Sequence, residues 1–234
     1  DRTISTETYK FYRLSPSLTF HLKKKTPRHP AQTQIVLRHV SVLRKNFECP
    51  PNTNCSRVAD DFYLNEIAFN HQNSRRINPF GWKLGIQQGA DFSMAQAELK
   101  YLISYGKSAR SGLSARIYAG GFLQNKTVTT NSPVLLPLTM RGGYDYAIDQ
   151  VFVARNESDG FWSHQVGMGG AGFKVPINIG YTDKYMLAAN FKASLPIKRL
   201  PLKLYADLGL PYTDIADGGL WNGKLFFDGG VALT

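Results

Sequence analysis

Residues 82–92 read WKLGIQQGADF, and the apolar and polar side chains of this stretch alternate almost one by one. One face carries Trp82, Leu84, Ile86, Gln88, Ala90 and Phe92, whereas the other face carries lysine, glycine, glutamine and aspartate. A two-residue period is the side-chain repeat of a β-strand, and about 9–11 residues are enough for a tilted strand to cross a bilayer. The stretch therefore predicts a two-faced strand that is long enough to span a membrane.

The same alternation recurs along the chain and predicts an all-β fold of about ten strands. Regular strands are predicted at 11–22, 82–92, 96–105, 202–209 and 224–234, and less regular ones at 33–44, 62–71, 113–123, 144–155 and 185–194. Short connections are predicted at 91–93 and 106–112, and longer loops at 45–60, 124–137, 156–182 and 211–223. Short turns at one rim and long loops at the other are typical of outer-membrane barrels.

Two features favour a membrane barrel over a soluble one. The apolar faces end in aromatic residues such as Tyr12, Trp82, Phe92 and Tyr105, as the interfacial girdles of membrane barrels do. The polar faces carry charges suited to a water-filled lumen, namely Arg13, Lys83, Asp91, Glu98, Lys100, Arg116, Lys192, Lys203, Asp207 and Asp228. A soluble sandwich or lipocalin-like barrel also alternates, and it would turn the same charges outward. No stretch approaches the ~18 consecutive apolar residues of a membrane-spanning helix, which excludes a helical membrane protein.

The domain organisation follows from the absence of internal divisions in the sequence. No repeat of fixed period and no low-complexity linker divides the chain, so we expect residues 1–234 to form one antiparallel outer-membrane-type β-barrel domain. The strand predicted at 224–234 has no turn or closing partner after it, and a barrel in lipid leaves no edge unpaired. We therefore expect an incomplete barrel that belongs to a larger protein.

The net charge of +11 raises nucleic acid or an anionic surface as a partner. Many cations lie in turn-like clusters, such as residues 23–25 (Lys-Lys-Lys) and 75–76 (Arg-Arg), and no nucleic-acid-binding motif accompanies them. We expect these cations to be solvated or paired with lipopolysaccharide phosphates at an outer membrane. Outer-membrane lipid and other envelope proteins are thus the expected partners, and nucleic acid is not.

The two cysteines enclose a turn-forming segment. Cys49 and Cys55 flank the sequence Pro-Pro-Asn-Thr-Asn, whose ends can approach closely enough for a disulfide. A disulfide would indicate an oxidising compartment, and the alternative is a pair of free thiols. A structural zinc site needs a second pair of ligands, which is absent nearby.

The sequence carries no recognisable catalytic, metal-binding or cofactor-binding motif. None of its five histidines is followed by glutamate, and none has a second histidine four residues away, as a catalytic zinc helix requires. The glycine-rich residues 167–172 lack the Gly-Lys-Ser/Thr of a phosphate loop, and no Gly-x-Ser-x-Gly elbow occurs. We expect no cofactor and no catalysis by this chain.

Charged residues in the second half of the chain form a predicted lumen network. Its members are Arg116, Arg141, Asp145, Asp149, Arg155 and Asp207. Pairing carboxylates with arginines across a lumen avoids the high cost of an isolated buried charge. We expect this structural role for the network rather than acid-base catalysis.

Several segments resemble the C-terminal region of large, aminopeptidase-N-like zinc metallopeptidases of certain Gram-negative bacteria. They are RIYAGGFL (116–123), DYAIDQVFVAR (145–155), GFK (172–174), SLP (194–196), LKLYADLG (202–209), FYRLSPSLTF (11–20) and RRINP (75–79). In that family the catalytic region is followed by an outer-membrane barrel, so the resemblance implies membrane location and barrel architecture. The peptidase chemistry does not carry over, because the family's His-Glu-x-x-His and Gly-x-Met-Glu-Asn motifs have no counterpart here.

The leading functional hypothesis is a non-catalytic barrel that anchors or positions an enzyme domain or complex at the outer membrane. A transport pore with a charged lumen is one alternative. A soluble secreted β-barrel that binds a small ligand in its interior is another.

Overall fold

The computed structural model describes residues 10–22, 29–48, 56–105, 112–127, 134–138, 140–141, 151–153, 165–167, 170–174, 180–195, 202–213 and 223–233. These residues form β-strands and connecting segments. No described part of the chain forms a helix with the length and apolar character needed to span a membrane.

Thirteen strands are present in the described residues. They are β1 (Lys10–Leu14), β2 (Ser17–Leu22), β3 (Ala31–Glu48), β4 (Ser56–Asn73), β5 (Phe80–Gly89), β6 (Phe92–Ser104), β7 (Gly112–Asn125), β8 (Met140–Arg141), β9 (Val151–Val153), β10 (Gln165–Gly167), β11 (Tyr185–Ser194), β12 (Leu202–Tyr212) and β13 (Phe226–Leu233).

Ten of these strands form one antiparallel sheet in the order β1-β3-β4-β5-β6-β7-β11-β12-β13, with β2 also paired to β3. The prediction of an all-β, antiparallel fold of about ten strands is confirmed. The short strands β8, β10 and β9 form a separate three-stranded sheet. They belong to the long connection between β7 and β11, which are themselves direct neighbours in the main sheet.

The strand predicted at 11–22 is broken at Pro16 into β1 and β2. Both pieces pair with β3, with Leu14 opposite Ser41 and Ser17 opposite Arg38. Proline has no N–H to donate to the ladder, so the pairing stops there. The Pro16 carbonyl still accepts a hydrogen bond from the His39 backbone N–H at 3.0 Å. Together, β1 and β2 occupy a single position at one edge of the sheet.

The main sheet is an up-and-down meander, since every neighbouring pair is antiparallel. Eight antiparallel steps separate β13 from the β1-β2 edge, so these two edges run in the same direction. Among the residues that the structure describes, no backbone pairing joins β13 to β1 or β2.

The prediction of a long loop at 45–60 is wrong for residues 45–48 and 56–60, which belong to strands. β3 continues to Glu48 and β4 begins at Ser56, with Lys45 opposite Ala59 and Glu48 opposite Ser56. Backbone pairing does not depend on side-chain polarity, so polar residues extend this two-stranded ribbon without an apolar alternation. Only residues 49–55 lie between the two strands, and they fall outside the described residues.

In the long connection between β7 and β11, strand prediction was right for β9 and missed β8 and β10. Of the strand predicted at 144–155, the described part is β9, and it pairs with β10 in the small sheet. β10 itself lies inside the loop predicted at 156–182. β8 and β10 have two and three residues, too few for a two-residue period to be recognised.

The two faces of the main sheet differ in burial. In β4, Leu64, Glu66 and Ala68 are buried, whereas Tyr63 and Ile67 on the opposite face are exposed. We call the face of Leu64 the inner face and the face of Ile67 the outer face. The same alternation continues through β5, β7, β11 and β12.

Phe92 lies on the inner face, so its predicted place beside Trp82 on the apolar face is wrong. β5 ends at Gly89 and β6 begins at Phe92, and the two-residue turn between them resets the alternation. A Cβ atom at Gly89 would lie 2.8 Å from Phe92 Cδ1, so glycine leaves the space that the ring fills. Phe92 packs there against Val40 and Leu64.

The apolar core lies against the inner face in two clusters. One cluster contains Val40, Val42, Leu64 and Phe92. The other contains Tyr118, Leu136, Leu138, Ala171, Phe173, Met186 and Ala188. The second cluster joins inner-face residues of β7 and β11 to residues of the connection between these strands, which thus covers part of the inner face.

Candidate functional site

The outer face carries an unbroken apolar row across eight neighbouring strands. The row runs through directly paired residues, Phe20, Ile35, Phe69, Leu84, Ala97, Ala119, Leu187 and Leu210. Along β6 the outer positions from Ala95 to Ile103 are all apolar, a distance of about 26 Å at roughly 3.3 Å per residue. That length is comparable with the apolar band of about 25 Å on outer-membrane barrels.

Large apolar side chains on this face are open to their surroundings. Ile67 is 59% exposed, Leu84 51%, Ile86 55% and Ile117 54%. Their polar neighbours point the other way, and Gln87 between Ile86 and Gln88 is buried. At these positions large apolar side chains are exposed and a polar side chain is buried, which is the opposite of the usual pattern in a water-soluble sheet.

The charged side chains that the structure describes in the main sheet lie on one face. From β3 to β13 of the main sheet, no outer-face position with a described side chain is Asp, Glu, Lys or Arg. The inner-face charges in the same strands are Arg38, Glu66, Lys83, Glu98, Lys100, Arg116, Lys192, Lys203, Asp207 and Asp228. The outer face therefore suits an apolar solvent, and the inner face suits a polar interior.

Aromatic side chains border the apolar face at both rims. At the rim where β4 turns into β5, Trp82 packs against Phe69 and His71 with ring centroids 5.1 and 5.7 Å apart. The His71 Nδ1 atom also lies 2.8 Å from the Thr33 hydroxyl. At the opposite rim Tyr185 stacks on the paired Tyr212, with ring centroids 4.6 Å apart.

On the inner face, Glu66 is the centre of a first ion-pair cluster. Its carboxylate accepts a hydrogen bond from Lys83 Nζ at 2.7 Å and lies 3.8 Å from Arg38 Nη1. The Glu66 side chain is 6% exposed, so it depends on these two cations to offset its lost hydration. The cluster crosses the three adjacent strands β3, β4 and β5.

A second, larger cluster is organised by Arg116. Its Nε donates to Glu98 Oε2 at 2.7 Å, and its Nη1 donates to the Asn190 side-chain oxygen at 2.8 Å. The Asn190 amide nitrogen in turn donates to Asp207 Oδ1 at 3.0 Å. Lys174 Nζ lies 2.7 Å from both Asp207 oxygens. The chain of contacts links β6, β7, β11 and β12 to residues 170–174.

Of the predicted lumen network, the structure describes the side chains of Arg116 and Asp207. Both lie on the inner face of the sheet and belong to the second cluster, where Asn190 connects them. Arg141 is described only as a backbone position in β8, and its side chain lies outside the described residues. The described residues do not include Asp145, Asp149 and Arg155, nor the predicted disulfide partners Cys49 and Cys55.

Sequence reasoning missed three members of the second cluster. Arg116 was expected to pair with an aspartate, and its carboxylate partner is Glu98. Glu98 and Arg116 lie on the polar faces of two consecutive predicted strands, and this placement could have indicated that they pair. Asn190 and Lys174 gave none, because a neutral amide and a loop lysine show no pattern in the sequence.

The inner-face clusters pair and bury charges, and the contacts of Glu66, Glu98 and Asp207 are mostly to cations. Within the described ranges, no group of three or more His, Cys, Asp or Glu side chains is placed to hold a metal ion. The chain matches no protein-family model. No curated protein matches it significantly.

Proposed function

We propose that this chain is an outer-membrane β-barrel whose outer face contacts lipid and whose charged inner face lines the interior. In this proposal it performs no catalysis itself and anchors or positions an enzyme domain or complex at the envelope of a Gram-negative bacterium. Its expected contacts are outer-membrane lipid, lipopolysaccharide and other envelope proteins. The resemblance to the barrel region of aminopeptidase-N-like proteins is the reason for naming an enzyme as the cargo.

The segregation of charge between the two faces carries the membrane part of the proposal. Monomeric soluble proteins rarely expose a continuous apolar patch of more than a few hundred Å². The row from Phe20 to Leu210 alone crosses eight strands, and it is flanked by further apolar rows. In a bilayer this surface needs no covering, whereas a charge on it would cost about 2–4 kcal/mol at the midplane.

Membrane insertion also requires that the sheet have no open edge, because lipid cannot satisfy exposed backbone groups. β13 and the β1-β2 edge run in the same direction, so joining them directly would be a parallel pairing. Closure by antiparallel pairing alone needs an odd number of further strand positions between these two edges. The proposal includes such closure by pairing outside the described residues.

The covered inner face supports an anchor over an open pore. Leu138 and Phe173, from the connection between β7 and β11, pack against Tyr118 and Met186 on the sheet. The interior beside these strands is therefore filled with protein rather than left as a channel. The soluble ligand-binding alternative is disfavoured by the exposed apolar side chains on the outer face.

The membrane proposal is tested by expressing this chain and asking where it is stable. We expect it to float with liposomes in a density gradient, resist carbonate extraction and migrate differently on gels before and after boiling. A folded, monodisperse protein in detergent-free buffer that stays away from liposomes would contradict the proposal.

A further inference from the structure

Resting on the proposed function, we infer that residues 170–174, here called the inner strap, act as a plug that is latched to the barrel wall and keeps the lumen closed. Four kinds of observation carry this inference: apolar packing, polar contacts to the wall, glycine spacing and the burial of one carboxylate.

The inner strap and residues 134–138 form an apolar layer over the inner face. Ala171 and Leu138 are fully buried, and Phe173 is 2% exposed. The strap is joined to the second segment through the Phe173 N–H, which donates to the Leu138 carbonyl at 3.3 Å. Both segments pack against Tyr118 and Met186 of the wall. The layer is thus a packed part of the core.

The wall holds the backbone of the strap through side chains of two strands. Arg116 Nη2 donates to the Gly170 carbonyl at 2.8 Å, and Asn190 Nδ2 donates to the Ala171 carbonyl at 2.9 Å. Both side chains also bind other members of the second charge cluster. The strap carbonyls therefore accept hydrogen bonds from wall side chains that would otherwise need water as their partner.

Glycines on both partners allow this close approach. Gly172 has a φ of +72°, and a Cβ atom there would lie 2.7 Å from Arg116 Nη1. On the wall, a Cβ atom at Gly209 would lie 2.8 Å from a ring carbon of Phe173. Any larger residue at either position would displace side chains that join the strap to the wall.

The latch is the ion pair between Lys174 and Asp207. The Asp207 side chain has no exposed surface, and Lys174 Nζ contacts both of its oxygens while lying 4.6 Å from the centre of the Tyr205 ring. Withdrawing the strap would break this ion pair and separate the Asp207 carboxylate from its cation. The loss of the pair opposes withdrawal of the strap.

Thiol labelling tests whether the strap is latched. In a Cys49→Ser, Cys55→Ser background, Ala171→Cys places a probe on the buried strap and Ala90→Cys places one on an exposed turn. We expect a water-soluble maleimide to react with Ala171→Cys at least about tenfold more slowly than with Ala90→Cys.

The charge-reversal variant Lys174→Glu sets two carboxylates together and should release the strap, raising the Ala171→Cys rate at least about tenfold. Arg76→Glu, which makes the same charge change in the exposed turn between β4 and β5, should leave the rate unchanged. The double variant Lys174→Glu, Asp207→Lys should restore slow labelling. Fast labelling of Ala171→Cys in the otherwise unaltered protein, or no acceleration by Lys174→Glu, would overturn the latch.

Planar-bilayer recordings test whether the strap closes the lumen. We expect no stepwise conductance from the unaltered protein or from Arg76→Glu, and stepwise conductance from Lys174→Glu. Steady conductance by the unaltered protein would overturn the plug. The plug would also be overturned if the strap were released but no conductance appeared in protein that floats with liposomes. Failure to float would reject the membrane proposal instead, and labelling would still decide whether the strap is latched.

Discussion

The Arg116 guanidinium lies 2.5 Å from the Glu98 carboxylate, across the paired strands β7 and β6. Arg116 is 15% exposed and Glu98 is 20% exposed, so water screens this pair only weakly. The same guanidinium binds Asn190 and the Gly170 carbonyl. One side chain thus connects the sheet, its charge cluster and the segment that covers it.

A double-mutant cycle should detect this connection. We expect Glu98→Gln and Arg116→Met to show a coupling free energy of about 0.5–3 kcal/mol, because each removes the partner of the other. Glu66→Gln and Arg116→Met serve as the control pair. Their residues lie three strands apart, about 14 Å at roughly 4.8 Å per strand, and should be additive within about 0.5 kcal/mol. Equal coupling in both cycles would show that the contact is not specific. Equilibrium unfolding in detergent or bilayers of the unaltered protein, the three single variants and the two double variants gives both coupling free energies.

Removing the charge of Glu66 should destabilise the first cluster. We expect Glu66→Gln to lower the free energy of unfolding by about 1.5–3 kcal/mol, since a nearly buried acceptor for Lys83 and Arg38 loses its charge. Lys100→Gln is the control, because Lys100 is 62% exposed and its pair with Glu98 should contribute less than about 1 kcal/mol. Chemical denaturation of the two variants compares them, and a larger loss for Lys100→Gln would be inconsistent with the assigned burial.

Alanine substitutions at two glycines distinguish the cost of steric crowding from the cost of backbone strain. Gly172 and Gly223 both have positive φ, at 72° and 67°, but a Cβ atom at Gly223 would meet no atom within 4 Å. Gly223→Ala should therefore cost only the backbone strain of about 1–3 kcal/mol. Gly172→Ala should cost more, because its methyl group would also displace Arg116. Thermal unfolding of the two variants gives the difference, and equal losses would mean that the strap does not approach the wall so closely.

An arginine on the outer face should be tolerated in water but not in lipid. We expect Leu84→Arg to destabilise the bilayer-inserted protein by about 2–4 kcal/mol. Ala90→Arg, at the exposed turn between β5 and β6, should cost no more than about 1 kcal/mol. Urea unfolding from liposomes measures both. Equal costs at the two positions would argue that Leu84 does not face hydrocarbon.

The regular strands were predictable from the sequence because their alternation reflects real differences in environment. Leu84 and Ile86 are exposed on one face while Gln87 is buried on the other, as the two-residue period in 82–92 required. Phe92 was assigned to the wrong face because a two-residue turn separates β5 from β6. The alternation of apolar and polar side chains starts in a new phase after this turn. The ribbon formed by residues 45–48 and 56–60 was missed because its pairing is carried by backbone hydrogen bonds, which leave no pattern in side-chain polarity.

The candidate site was predictable only in part. Arg116 and Asp207 were recognised as inner-face charges, but the sequence could not show that Asn190 joins them. Nor could it show that Lys174 reaches Asp207 from a connection 33 residues away in the chain. Contacts between a loop and a sheet depend on how the loop folds back, and neither spacing nor composition encodes that fold.

The central claim is that the outer face contacts lipid, and Trp82 can report on it directly. The chain has three tryptophans, so Trp162→Phe with Trp221→Phe leaves Trp82 as the only one, packed against Phe69 and His71 on the outer face. The decisive measurement is Trp82 fluorescence in liposomes whose acyl chains carry bromine, compared with unbrominated liposomes of the same composition. The account predicts strong quenching by the brominated chains, and emission that is equally bright in both liposomes would contradict it.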